Sequence, residues 1–122
     1  MRIVIPSILI IVSVIHLLPV MGVLGADSLK RLYGVSTSES NTEILLRHRA
    51  VLFAIIGLFL LLSVFKSDYQ PIAICMGLIS VATFLLLTWL NDGLNSELSR
   101  VAKVDWVALV LLIVAGAINI LN

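Results

Sequence analysis

Four polar residues of this otherwise apolar chain have the types needed for acid–base chemistry or for binding a charged group. They are His16, Arg47, Asn91 and Asp105. A histidine and a carboxylate can act as acid and base on one substrate, and a guanidinium binds anions. Ionisable groups within strongly apolar segments are costly and often mark functional sites. We predict that these four residues meet in one cluster, with Arg47 paired to Asp105.

A second set of polar residues is expected to surround this cluster. Its members are Ser13, Glu43, His48, Arg49, Thr88 and Trp89. If the cluster binds a ligand, a cavity should open beside His16, lined by Ser13, Thr88 and Trp89. Such a cavity would hold a molecule of the size of a lipid or a quinone.

The alternative interpretation of the cluster is structural. Arg47 and Asp105 then only neutralise each other, because either charge alone would be costly to bury. His16 hydrogen-bonds a backbone carbonyl that Pro19, which has no N–H, leaves free. Arg49 extends its guanidinium to the lipid headgroups while its aliphatic part stays in apolar surroundings.

The chain lacks the motifs of common enzyme and nucleotide-binding classes. It contains no H-E-x-x-H, no G-x-S-x-G, no P-loop and no G-x-G-x-x-G sequence. Cys75 is the only cysteine, which excludes an intramolecular disulfide and a cysteine-cluster metal site. His16 and His48 fall on different predicted helices and make a weak haem or metal site. We therefore predict no metal and no resident cofactor, and leave a quinone or lipid ligand open.

Composition indicates which elements position these residues. Of the 122 residues, 61% are hydrophobic and 12% charged, and the mean hydropathy is +1.18. Soluble domains are about 45–50% apolar and about 25% charged. So few charges cannot cover a water-exposed surface, so the chain is predicted to be an integral membrane protein. A net charge of +1 offers no basic surface for nucleic acid.

Four segments have the roughly 20 apolar residues that a membrane-spanning helix needs. They cover residues 3–24, 44–65, 71–90 and 104–121 of a single domain, 1–122. The predicted fold is an all-α, four-helix bundle in a membrane. The first segment resembles a cleaved signal peptide, but its apolar stretch exceeds the usual length of roughly 7–15 residues.

Each predicted span carries a stripe of small or polar residues at helical spacing, and these stripes should face the bundle axis. The stripes comprise Pro6, Leu9, Ser13, His16 and Val20; Glu43, Arg47, Ala50, Ala54 and Gly57; Ala73, Gly77, Ser80, Phe84, Thr88 and Asn91; and Asp105, Ala108, Leu112, Ala115, Asn119 and Asn122. Ala73 and Gly77 permit close approach of another helix. We expect a homo-oligomer if this face is not used within the bundle.

The connecting loops carry helix signals of their own. Residues 26–33 are typical of a short amphipathic helix that Gly34 ends as a C-cap. Ser40 and Glu43 have the spacing of a capping box at the start of the second span. Asn91, Asp92 and Gly93 should end the third span, and residues 95–103 are predicted to form another short surface helix.

Three short stretches resemble those of a known family. They read Leu-Tyr-Gly-Val at 32–35, Leu-Arg-His-Arg-Ala at 46–50 and Val-Asp at 104–105. Through them the region from Gly25 to about Gly116 resembles the DoxX-like small membrane proteins, in particular the DUF4345-type members. The resemblance implies a four-helix bundle in a bacterial inner membrane. Some members of the group are subunits of quinone-linked oxidoreductases, and most have no assigned activity.

Taken together, these features favour an accessory subunit, or a binder of lipid or a quinone-like hydrophobic ligand. One alternative is a small membrane enzyme that acts on a hydrophobic substrate with His16 and Asp105 as acid and base. A transporter is the least favoured class, because four short helices without an inverted repeat offer little machinery for alternating access. The expected partners are membrane lipid and either further copies of the chain or a larger membrane complex, with no nucleic acid.

The distribution of lysine and arginine predicts the orientation in the membrane. The first and third connections and their flanks carry six: Lys30, Arg31, Arg47, Arg49, Arg100 and Lys103. The other side carries Arg2 and Lys66. Positive charge favours the cytoplasmic side, so both termini should lie outside the cytoplasm. An alkaline phosphatase fused after Asn122 should be active in whole cells. Fluorescence from a green fluorescent protein fused there, without phosphatase activity, would contradict this orientation.

Overall fold

The chain folds into helices that match the predicted all-α architecture. The structure is a computed structural model that describes residues 3–35, 39–91 and 93–121. Its α-helices are α1 (Val4–Leu17), α2 (Ala26–Tyr33), α3 (Ser40–Phe65), α4 (Gln70–Leu90) and α5 (Ser96–Leu121). Short 3₁₀ segments, Leu18–Leu24 and Ser67–Tyr69, follow α1 and precede α4. Described residues contain no β-strand.

Four helical segments are long and apolar enough to cross a membrane. They are Val4–Leu24, which joins α1 to its 3₁₀ extension, Ser40–Phe65, Ser67–Leu90 and Ser96–Leu121. These segments contain three of the four spans predicted from the sequence, and the first begins one residue later than predicted, at Val4. The chain is therefore a multi-pass membrane protein with a helical bundle.

Two helices begin earlier than the sequence predicted. The capping box is wrong, because Ser40 is already helical and no side chain caps the start of α3. The separate surface helix over 95–103 is also wrong, since α5 runs unbroken from Ser96. The Asn95 side chain caps α5 by accepting a 2.7 Å hydrogen bond from the Leu98 N–H.

Arg2, Asp92 and Asn122, all used in the sequence predictions, lie outside the described residues.

The amphipathic helix predicted in the first connection is confirmed as α2. Gly34 follows it in the left-handed conformation (φ 67°), and its N–H donates to the Lys30 carbonyl at 2.8 Å. The Asn95 amide donates to the Tyr33 carbonyl at 2.8 Å. This bond ties the end of α2 to the start of α5. As a result α2 packs against the bundle, with Leu29 fully buried.

The predicted inward stripes are confirmed in part. Leu9, Ser13 and His16 of α1 are buried. The small stripe of α5 is buried as well, at Ala108, Leu112 and Ala115.

The stripes of α3 and α4 turn away from the axis at the end of the bundle that α2 covers. In α3, Ala50 and Gly57 are buried whereas Arg47 is exposed. In α4, the buried positions beyond Gly77 are Val81 and Leu85. Phe84 and Thr88 are therefore only half-buried.

Glycines allow close packing at two helix contacts. A Cβ on Gly57 would lie 2.8 Å from Leu17 of α1, and one on Gly77 would lie 3.0 Å from Leu112 of α5. The Ala73 and Gly77 face is thus used within the bundle. It does not supply the free surface on which a homo-oligomer was expected.

The Gly57 contact predicts an asymmetry between two glycine-to-alanine changes. Both Gly57→Ala and Gly116→Ala add the same methyl group to a helix and gain the same propensity, up to about 1 kcal/mol. At Gly116 the methyl meets only Ile74 at 3.6 Å, an ordinary contact. At Gly57 it overpacks the contact with Leu17, which should cost about 1–3 kcal/mol. Thermal unfolding in mild detergent should show Gly57→Ala as the less stable variant. Equal melting temperatures would contradict the packing described.

Candidate functional site

His16 is a buried histidine that links two helices. Its Nδ1 bonds to the Val12 carbonyl at 3.0 Å, and its Nε2 bonds to the Ser80 Oγ of α4 at 3.0 Å. A carbonyl only accepts, so Nδ1 carries a proton, and in the neutral ring Nε2 accepts from the Ser80 hydroxyl. His16 therefore uses the Val12 carbonyl of its own helix. The expectation that it bonds a carbonyl freed by Pro19 is wrong.

Arg49 lies in a cage of aromatic rings. Its guanidinium carbon is 4.2 Å from the ring centre of Phe53, 5.0 Å from that of Tyr33 and 5.6 Å from that of Phe84. These rings come from α3, α2 and α4, so three helices hold one charge. Ring faces attract cations, most strongly where water is excluded. The guanidinium is thus held among the helices, rather than extended to the headgroups as the structural interpretation expected.

Tyr33 also hydrogen-bonds Arg49 through its hydroxyl, which accepts from Nη1. Burial raises the pKa of the Tyr33 phenol above its ordinary value, and the positive charge of Arg49 only partly opposes this effect. The phenol is therefore neutral at physiological pH. Its contact satisfies one donor of the guanidinium without cancelling the charge.

His16 and Asp105 come together as predicted, with Arg49 beside them. All three line a small cavity of about 10 Å³ between α1, α3 and α5. A void of this size holds at most about one water molecule. The arrangement brings an acid, a base and a cation to one place but leaves no room for a substrate between them.

The predicted pairing of Arg47 with Asp105 is wrong. Arg47 is exposed, and its Nε donates to the Val23 carbonyl at 3.0 Å, which ties α3 to the 3₁₀ segment after α1. Residues two apart on a helix point to nearly opposite sides at 3.6 residues per turn. Because Arg49 faces the bundle, Arg47 cannot face it as well.

Asn91 also lies outside the cluster. It is the exposed C-terminal cap residue of α4, and its side-chain amide donates to the Leu87 carbonyl at 2.7 Å. Its role in the structure is therefore to satisfy an end carbonyl of its own helix.

The second set of predicted residues does not line a cavity beside His16, apart from Arg49. Ser13 and Thr88 donate to carbonyls of their own helices, Ile10 and Leu85, at 2.8 Å each. Trp89 is 83% exposed. His48 is exposed as well, and Glu43 is half-buried near Gly25.

The larger cavity opens between α3 and α4 and has a volume of about 450 Å³. We call it the α3–α4 groove. Its lining is Arg49, Leu52, Phe53, Ile56, Met76, Ile79, Ser80, Thr83, Phe84 and Leu87. Arg49 is the only charged member of this lining. An open apolar groove with a single cation at one end suits a molecule with an apolar body and a polar or anionic group.

A further cavity of about 200 Å³ lies on the other side of Arg49 and Phe84. It is lined by those two residues and by Tyr33, Val35, Leu46 and Leu98. Arg49 thus lines the groove, this cavity and the small cavity beside His16. Within the described ranges, no group of three His, Cys, Asp or Glu side chains is placed to hold a metal ion.

Sequence reasoning missed the rings that hold Arg49 and the hydroxyl that binds His16. Ser80 and Phe84 appeared only as stripe positions, and Tyr33 only as an apolar residue of α2. Phe53 was not singled out, although it lies four residues after Arg49, where side chains on a helix are neighbours. That spacing was the one local signal that Arg49, rather than Arg47, faces aromatic surroundings.

Comparison of the chain with protein-family models, curated proteins and solved structures finds no match in any of the three. The relationship to the DoxX-like group therefore stays a prediction. What the chain does must be inferred from the geometry of its own residues.

The hydrogen bond between His16 and Ser80 predicts different costs for two hydroxyl deletions on α4. Ser80→Ala removes the partner of a buried imidazole nitrogen and should destabilise the protein by about 0.5–2 kcal/mol. Thr83→Ala is the control, because the Thr83 hydroxyl bonds only to carbonyls of its own helix. Chemical unfolding in detergent micelles measures both. Equal losses for the two variants would show that the bond between helices contributes nothing.

Proposed function

We propose that this protein binds a hydrophobic molecule, a lipid or a quinone, in the α3–α4 groove. It acts as a binding protein or as an accessory subunit of a larger membrane complex rather than as an enzyme. The observation that carries the proposal is the groove itself, an apolar cavity of about 450 Å³ with Arg49 at one end. Ligand sites are commonly about 300–1,000 Å³, mostly apolar, with a few placed polar groups.

The polar group matters because lipid tails can fill any apolar groove in a membrane. Selectivity therefore has to come from Arg49, whose charge and N–H donors bind acceptor oxygens of a ligand. A quinone carbonyl and a lipid headgroup both provide such oxygens. The resemblance to the DoxX-like group, with its quinone-linked members, agrees with either ligand.

The proposal extends to location and assembly. The expected site of action is a bacterial inner membrane, with the first and third connections in the cytoplasm, as the positive charges of Lys30, Arg31, Arg100 and Lys103 favour. The groove and Arg49 then lie toward the cytoplasmic half of the bilayer. Association with further copies or with another membrane protein belongs to the accessory-subunit form of the proposal.

The enzyme alternative, with His16 and Asp105 as acid and base, has weaker support. The two side chains line one cavity, but its volume of about 10 Å³ admits no substrate. Both ring nitrogens of His16 are also engaged, with Val12 and Ser80. Catalysis would require one of these bonds to break before a proton could be exchanged with a substrate.

Filling the groove tests the proposal. Thr83→Trp places a large ring in the groove, whereas Ala82→Trp adds the same ring at an exposed neighbouring position outside the lining. Mass spectrometry of lipids and quinones that co-purify in mild detergent should show an enriched species in the wild type and in Ala82→Trp. That species should be depleted about tenfold or more in Thr83→Trp, since the added ring occupies the space of the ligand.

The same experiment can overturn the proposal. An identical lipid profile in all three proteins would mean that the groove holds only bulk lipid. Catalytic turnover by the isolated protein that survives Thr83→Trp but not Asp105→Asn would instead favour the enzyme alternative.

A further inference from the structure

We propose that the ligand of the α3–α4 groove is a long-chain fatty acid, bound with its carboxylate on Arg49 and its chain between α3 and α4. This inference rests on the proposed function and narrows it from hydrophobic ligands in general to one chemical class. It is carried by the guanidinium of Arg49, whose hydrogen bond goes to the neutral Tyr33 hydroxyl, and by the shape and lining of the cavities around it.

The partners of Arg49 leave its charge in place. Three aromatic rings and the neutral hydroxyl of Tyr33 surround the guanidinium. A guanidinium carries further N–H donors in a planar fork that matches the two oxygens of a carboxylate. A charge kept among apolar groups in a membrane is costly. The Asp105 carboxylate, which lines the small cavity together with Arg49, offsets part of this cost. A bound anion lowers the cost further, whereas a neutral ligand does not.

Asp105 is an acidic residue close to Arg49, but it is not part of the groove lining. It belongs to α5 and lines the small cavity together with Arg49, His16 and Phe53. The groove is lined by α3 and α4 alone. Among the described residues, the hydrogen bond of the guanidinium goes to Tyr33 and not to Asp105. The face of Arg49 toward the groove is therefore available to an anion from outside the bundle.

Arg49 is the group of the lining that can donate to a headgroup. Ser80 and Thr83 are the hydroxyl-bearing side chains of the groove, and both are engaged, with His16 and with carbonyls of α4. The protons of both hydroxyls are used, so these oxygens can only accept, and Arg49 is the free donor of the lining. A carboxylate needs donors only and can be satisfied at Arg49 alone. The cavity beyond Arg49, about 200 Å³, is lined mainly by apolar residues and does not suit a sugar or glycerol headgroup.

The dimensions favour a single chain. The groove volume of about 450 Å³ lies at the lower end of the range for ligand sites. From Arg49 to Ile56 the lining follows α3 for roughly 10 Å, at 1.5 Å per residue. One acyl chain therefore runs from the guanidinium toward Ile56 and Met76. A lipid with two chains would leave one of them outside the groove.

Photolabelling in a neutral bilayer tests the inference. Wild-type protein in nanodiscs of phosphatidylcholine is irradiated with palmitate that carries a diazirine near the middle of its chain, at the depth of Ile56. Labelled peptides should contain Ile56 or Met76. Unlabelled palmitate should suppress the labelling, and hexadecanol, which has the same chain without the charge, should require about tenfold or higher concentration.

Two neighbouring arginines supply matched variants. Arg49→Gln should reduce labelling about tenfold or more, whereas Arg47→Gln, on the exposed side of α3, should leave it unchanged. If Arg49→Gln does not fold, Arg49→Lys keeps the charge but loses the fork and should give an intermediate loss. The comparison of palmitate with hexadecanol on the wild type needs no variant at all.

Each alternative ligand gives its own result. Equal competition by hexadecanol, or stronger competition by a short-chain ubiquinone, would overturn the fatty-acid assignment while the groove remained a binding site. Stronger competition by lysophosphatidylglycerol would assign the anion as a phosphate. Equal labelling of Thr83→Trp and Ala82→Trp would show that the groove binds nothing, and the proposed function would fail with the inference.

Discussion

A positive charge between the helices of a membrane bundle must be stabilised by neighbouring groups. The guanidinium of Arg49 is such a charge, and the packing at its end of the bundle depends on it. Phe53, Phe84 and Tyr33 meet the requirement with ring faces, and each ring stands on a different helix. The Tyr33 ring depends on α2, which Gly34 ends and Asn95 anchors to α5. A short helix outside the spans is therefore part of the site, although it carries no chemistry beyond one phenol.

The groove follows from how the helices pack. α1 approaches α3 closely at Gly57, and α4 approaches α5 closely at Gly77. The contact between α3 and α4 instead carries the large side chains of Arg49, Phe53 and Phe84, which keep these two helices apart. Small residues drive close helix contacts in lipid, and bulky ones prevent them. The same side chains that hold the charge thus also open the space beside it.

The sequence was sufficient for features that depend on composition and spacing along one helix. Apolar length predicted the four spans, and amphipathic spacing and Gly34 predicted α2. The central parts of the stripes of α1 and α5 are buried as expected. The sequence was not sufficient for features that depend on which side of a helix packs against a neighbouring helix. Arg47 and Arg49 are equally apt by residue type, and the small-residue stripe of α3 favoured the wrong one. The aromatic cage joins residues from three helices, a relation that spacing along the chain cannot show.

The central claim is that Arg49 holds the carboxylate of a ligand in the α3–α4 groove. Solid-state nuclear magnetic resonance on bilayer-embedded protein measures this contact directly, with ¹⁵N in the arginine side chains and ¹³C in the carboxylate of palmitate. We predict a dipolar coupling between guanidinium nitrogen and carboxylate carbon that corresponds to a hydrogen-bonding distance. It should be present in the wild type and in Arg47→Gln and absent in Arg49→Gln. A coupling that disappears with Arg47→Gln, or no coupling in the wild type with palmitate in excess, would contradict the claim.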